Sequence, residues 1–127
     1  MGYQFKKHYT RDEARALLPQ IRQWLQRLSD SRERLDRHDR RLASLLSGGR
    51  DAGGDTVNQW LKALAGIKET LSEFQCREIH IKDLDRGLID FPAILGGKEV
   101  FLCWEKHEQD IDFWHDLQSG YAGREPL

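Results

Sequence analysis

The side chains best able to move a proton, attack a carbonyl or hold a cation gather toward the C-terminal end of this sequence. Asp83, Asp90, Cys103, Glu108 and His115 all fall within residues 83–115. Carboxylate, imidazole and thiolate are the donor groups of divalent metal sites. Two or three carboxylates with one histidine would suit manganese or iron, and zinc is favoured if Cys103 joins them. There is no His-Glu-x-x-His motif, no paired cysteine and no set of Glu-x-x-His pairs of the di-iron bundle type. The five residues are therefore candidate ligands by clustering, not by motif. The plainer alternatives are an Asp90 that bonds local backbone and a His115 that packs on Trp114. Distance separates these readings. Donor atoms about 2.0–2.2 Å from one centre mean a metal, and a direct contact of about 2.7–3.0 Å means a structural His–Asp pair. A wide separation means neither.

Other chemistries are weaker. Cys103 and His115 could form a nucleophile and its base, although a free cysteine beside Trp104 is more simply a small buried residue. Glu105, Glu108, Asp110 and Asp112 could hold an acid–base pair, but they read better as a solvated turn. Gly120-x-x-Gly123-Arg124 is too short for a phosphate loop, because no strand–helix frame follows it. Arg124 suits a bidentate clamp on Asp83 or Asp116 that would pin the tail.

These residues need a frame, and the pattern of the chain supplies one. Thr10-x-x-Glu13 is a capping box. After it, Ala14, Leu17, Ile21, Trp24, Leu28, Leu35, Leu42 and Leu45 recur every three or four positions, a seam of coiled-coil type. Pro19 lies inside this helix and Gly48-Gly49 ends it. A glycine-rich loop, Gly48 to Gly54, leads to a second helix with Val57, Trp60, Leu64, Ile67, Leu71 and Phe74 at the same spacing. So short a link makes the helices antiparallel neighbours. Leu88–Leu95 and Lys98–Trp104 flank Gly96-Gly97, a two-residue hairpin signal. Pairing about that turn makes partner numbers sum to 193. One face then carries Ile89, Phe91, Ala93, Val100, Leu102 and Trp104, and Asp90 lies on the other. Pro92 makes its strand an edge at that point. A third strand is expected from Glu78–Lys82 or Tyr3–Phe5, and Ile111–Leu127 reads as an extended tail with one helical turn. Trp24, Trp60, Trp104 and Trp114 are expected core anchors. The expected fold is α+β, mainly α: a helical hairpin over residues 10–75, with a β-hairpin and irregular tail over residues 76–127 packed on the proximal half of helix one. The whole is expected to be a single domain.

Several of these segments together resemble the bacterial family called domain of unknown function 2203. They are Tyr9-Thr10-x-Asp12-Glu13-Ala14, Leu17-Leu18-Pro19, Lys82-Asp83-Leu84 and Gly87-Leu88-Ile89-Asp90-Phe91-Pro92-Ala93. Val100-Phe101-Leu102-Cys103-Trp104, Trp114-His115-Asp116 and Gly120-Tyr121-Ala122-Gly123-Arg124 complete the set. The resemblance spans nearly the whole chain, and it implies a small prokaryotic protein without an assigned activity. His107 departs from the glycine often found there.

Charge narrows the partners. Residues 11–50 hold ten arginines against six acids, and residues 76–127 hold six bases against eleven acids. The basic helix has no interleaved exposed aromatics and its arginines alternate with Asp30, Glu33, Asp36 and Asp39, so nucleic acid is disfavoured. No apolar run approaches the roughly 18 residues of a membrane span. Residues 1–10 lack the apolar core of a signal peptide. Cys76 and Cys103 form no Cys-x-x-Cys pair, and a cytoplasmic location follows as an expectation. Between Ser29 and Arg41 the only aliphatic residue is Leu35, a thin seam that favours a homodimer through the hairpin. The leading functional expectation is a non-enzymatic interaction or assembly module. The alternative is a divalent-metal-binding protein or metal-dependent enzyme using the C-terminal carboxylate and histidine residues.

Overall fold

The first helix starts where its capping residues say it should. In the computed structural model, which describes residues 2–49 and 54–127, α1 runs Arg11–Ser47. The Glu13 amide donates to Thr10 Oγ1 at 3.1 Å, and the Thr10 amide donates to Glu13 Oε1 at 3.0 Å, closing the capping box. The helix continues through Pro19. It ends at Gly48 and Gly49, where Gly49 takes a φ of 71°. The second helix, α2, spans Gly54–Gln75. Residues 50–53 of the expected glycine-rich loop lie outside the described residues. No helix among the described residues is long and apolar enough to cross a membrane.

Five strands follow: β1 (His80–Asp83), β2 (Leu88–Leu95), β3 (Lys98–Glu105), β4 (Phe113–Asp116) and β5 (Glu125–Pro126). They form one antiparallel sheet in sequence order. β2 and β3 pair from Leu88↔Glu105 to Leu95↔Lys98, the register set by a turn at Gly96-Gly97. Both glycines have positive φ, 59° and 80°, as the two-residue turn demands. Of the two segments considered for a third strand, 78–82 supplies β1 and Tyr3–Phe5 is not a strand. β1 pairs only with Leu88–Asp90, which leaves β2 without a strand neighbour beside Pro92. There the Pro92 carbonyl accepts the Tyr9 amide at 2.7 Å. The tail has the expected extended backbone and one 3-10 turn at Tyr121–Gly123, but it is not irregular: Phe113–Asp116 and Glu125–Pro126 pair into the sheet as β4 and β5.

The structure forms two compact units. The first holds residues 2–23 and 73–127. In it Ala14, Leu18 and Ile21 of α1 are buried, and so are all six residues of the expected apolar sheet face. The first turns of α1 are tied to the sheet's connecting loops. Arg15 makes a two-bond contact with Asp110, Arg11 pairs with Asp112, and the Arg22 guanidinium lies 4.9 Å over the Trp104 ring. The opposite face is buried at its centre, at Leu88, Asp90, Phe101, Cys103 and His115, and exposed at Ile94. Phe5, from the N-terminal segment, packs on His80 and Phe101, and Phe101 packs on His115.

The second unit holds residues 24–72, where the distal part of α1 packs with α2. Its buried residues lie at one end: Trp24, Leu25, Leu28 and Ser31 on α1, Ala63 and Thr70 on α2. Among the described residues none between 32 and 47 or between 54 and 62 is buried. Trp60 is not a core anchor. It is half-exposed, and its indole N–H donates to Asp39 Oδ1 at 2.6 Å. Trp114 is also only half-buried.

Candidate functional site

Among the described residues, the polar side chains of the sheet's second face form the group of His, Cys and carboxylate donors that could hold an ion. Asp90 stands in the middle of β2, opposite Cys103 on β3. His115 stands on β4, opposite Phe101 of β3. Asp90 and His115 are therefore two strands apart, about 9–10 Å across the sheet, and two residues out of line along β3, about 6–7 Å more in that direction. Their side chains bridge that gap over β3. His115 Nε2 lies 3.0 Å from each Asp90 oxygen, and both side chains are 2 % exposed. Cys103 lies beneath them at 1 % exposure. One donor atom from each of the three residues falls within 4.8 Å of the others.

The other imidazole nitrogen is held. His115 Nδ1 is 2.6 Å from the Asp116 carbonyl oxygen. A carbonyl can only accept, so Nδ1 carries a hydrogen. Nε2 then meets Asp90 either as a second N–H donor or, once that proton leaves, as a lone pair open to a cation. Metal-binding histidines commonly fix their other nitrogen in this way. At 3.0 Å the contact as it stands is a direct His–Asp pair.

Burial raises the Cys103 thiol, and the Asp90 charge raises it further, to about 12 against the opposing pull of Arg124. A thiol so protonated and so enclosed is a poor nucleophile, and the ring faces Asp90 through Nε2 rather than bridging thiol and carboxylate. The Cys–His nucleophile is thus disfavoured by geometry.

Two expected members of the set lie elsewhere. The Glu108 carboxylate is taken by a bidentate pair with Arg124, at 3.0 and 2.9 Å, and by the Glu105 amide at 2.8 Å. It holds down the tail. The clamp expected between Arg124 and Asp83 or Asp116 is made to Glu108 instead. Asp83 caps the β1–β2 turn, accepting the Arg86 amide at 3.1 Å. Gly87 completes that turn with a φ of 63°, where a Cβ would come within 2.6 Å of Lys106. Glu105 pairs with Arg86 and His107, and Asp110 and Asp112 bind the first turn of α1, so no acid–base pair forms among them.

His80 was not singled out by its sequence context. It is the register partner of Asp90, and its Nε2 is buried with no hydrogen-bond partner. Burial and then Lys82 lower its pKa, so the ring is held neutral. The antiparallel register of β1 was the signal that could have found it. Tyr121, also missed, lies between two guanidinium groups, Arg86 and Arg124, each 4.3 Å from its ring.

Two of the three buried residues of the cluster, Asp90 and His115, form part of a cleft wall, and Cys103 does not. This cleft of about 240 Å³ also has Lys82, Gln118, Gly120 and Tyr121 in its walls. The fold and site thus define a small α+β protein whose sheet buries an Asp–Cys–His cluster beside an open cleft. The chain belongs to the family described as Uncharacterized conserved protein (DUF2203), whose model matches residues 7–127. No curated protein and no solved structure matches it.

Proposed function

We propose that this is a divalent-metal-binding protein, with Asp90, Cys103 and His115 as the ligands. The observation that supports this is the orientation of His115, whose Nδ1 is fixed on the Asp116 carbonyl while Nε2 faces Asp90 near Cys103. Oxygen, nitrogen and sulfur together suit zinc better than manganese or iron. In the metal-free form a proton stands on the Cys103 thiol, where the ion would act, and zinc would displace it. With three protein donors, a position remains for water or a ligand from the cleft, where zinc would act as a Lewis acid.

The test is metal analysis of the full chain purified without a polyhistidine tag. Stoichiometric zinc, lost in His115→Ala and Asp90→Asn, is expected. No bound metal and no rise in melting temperature on adding zinc would leave Asp90 and His115 as a structural pair.

A second reading, an assembly module, is favoured by the bare end of the helical hairpin. Leu46 is 63 % exposed and Leu61 48 %, with Val57 and Leu64 also exposed. The same stretch mixes arginines with Glu33, Asp36 and Asp39, which lets the face pair with itself about a twofold axis. A second copy of the hairpin is the proposed partner. Light scattering should give twice the monomer mass at micromolar concentration, and Leu35→Asp should shift it toward monomer. A monomer at all concentrations removes this reading.

A further inference from the structure

The cleft beside the cluster has a chemical character of its own. Lys82 stands at its wall, exposed, with its ammonium 5.5 Å from the Phe101 ring centre. Among the described residues its ammonium makes no hydrogen bond or ion pair. Among the residues that line the cleft the carboxylate is Asp90, and it is held by His115 at 3.0 Å. The Gln118 amide, also at the wall, is likewise without a hydrogen bond among the described residues.

Charge and size then select a ligand. A divalent ion with one carboxylate and one thiolate is neutral, so Lys82 leaves the site with one positive charge. A volume of about 240 Å³ holds roughly eight waters' worth of matter, at about 30 Å³ each. Leu88 and Leu117 add apolar wall. We propose that the cleft binds a small organic monocarboxylate, with an oxygen at the open metal position and its negative charge answered by Lys82. This rests on the metal-binding reading above. The acid reaches the metal from the tail side, where Gly120 and Tyr121 line the cleft. Tyr121 is steadied there by its two arginine neighbours.

The experiment uses the full chain loaded with cobalt(II), whose visible bands and thiolate charge-transfer band report the coordination sphere. Lactate is titrated into it, with neutral lactamide as the control. The expected result is a saturable band shift with lactate and none with lactamide. Lys82→Met should weaken lactate about tenfold or more, the loss of a charge-assisted contact, while cobalt still binds one ion per chain with the same lactate-free bands, because Lys82 is not a ligand. Lys82 is exposed, so this variant should fold. Cobalt bands that no carboxylate alters would overturn the carboxylate site and leave the metal reading standing. A lactate response unchanged in Lys82→Met would overturn it too. Inorganic phosphate shifting the bands at lower concentration than lactate would overturn the assignment to carboxylates. A chain that takes up no cobalt would overturn both readings together.

Discussion

A carboxylate and an imidazole buried side by side are stable only as long as each has the other. Removing His115 would leave Asp90 in the sheet with its charge unanswered. His115→Ala should therefore cost about 3–5 kcal/mol in urea denaturation. Replacing both residues together with apolar side chains of similar volume, Asp90→Leu with His115→Phe, should recover much of that loss. Such a protein would fold and bind no zinc, which separates the role of the pair in stability from its role as a ligand set. Cys103 makes a second prediction. Its thiol, pushed up to about 12, is protonated at neutral pH in the metal-free form. Zinc must expel that proton, so apparent zinc affinity should rise with pH, by about tenfold per unit for each proton released. Competition with a chromophoric chelator across pH 6–8 measures it. Cys103→Ser should bind more weakly at every pH.

The N-terminal segment before α1 is not a strand, yet it covers part of the sheet because carboxylates catch its amides. Glu99 accepts from the amides of Gln4 and Phe5 at 2.7 and 2.9 Å and contacts His8 Nε2 at 2.7 Å. Glu78 accepts from the amides of Lys6 and Lys7, and it does so from a left-handed backbone, φ 57°, just past the end of α2. Burial pushes Glu99 up, but these bonds outweigh it and hold the carboxyl below its ordinary 4.5. A depressed carboxylate contributes stability above its unfolded value and loses it as pH falls through the folded value. The segment should stay latched at neutral pH and loosen below about pH 4.5. Exchange protection at Gln4 and Phe5 should fall in that window, and Glu99→Gln should remove most of the pH dependence. On the sheet's other face Trp104 is fully buried and its indole N–H donates to the Glu108 carbonyl at 2.9 Å. Trp104→Ala should cost about 3–5 kcal/mol, and a cost below about 1 kcal/mol would show that the ring adds little.

The two units differ in how well they are closed. The sheet unit buries both faces of β2 and β3 except at the Gly96-Gly97 turn, where Ile94, Leu95 and Lys98 are exposed. The hairpin unit buries its contact residues at one end and leaves leucines open at the other. Local opening should follow that difference. Amide exchange should be fastest in residues 35–47 and 55–62 of a monomer and slow sharply on self-association, because a partner would bury Leu46 and Leu61. Exchange that does not change with protein concentration would show that the hairpin has no partner copy.

Local patterns carried much of this fold in the residue order alone. The capping box at Thr10, the 3–4 spacing along both helices and the Gly96-Gly97 turn each depend on neighbours within a few positions. Once that turn is placed, alternation assigns every side chain of β2 and β3 to a face, Asp90 included. Proximity across the sheet could not be read the same way. Asp90 and His115 are 25 positions apart, and their contact depends on where β4 lands against β3. The fate of Glu108 depends on a tail that folds back and brings Arg124 to it. Asp83 looks like a ligand by type and is a turn cap by position. His80 looks like nothing until the register of β1 sets it opposite Asp90. Residue type limits which atoms could bind a cation. Which of them meet depends on backbone pairing between segments far apart in the chain, a long-range choice made by burial.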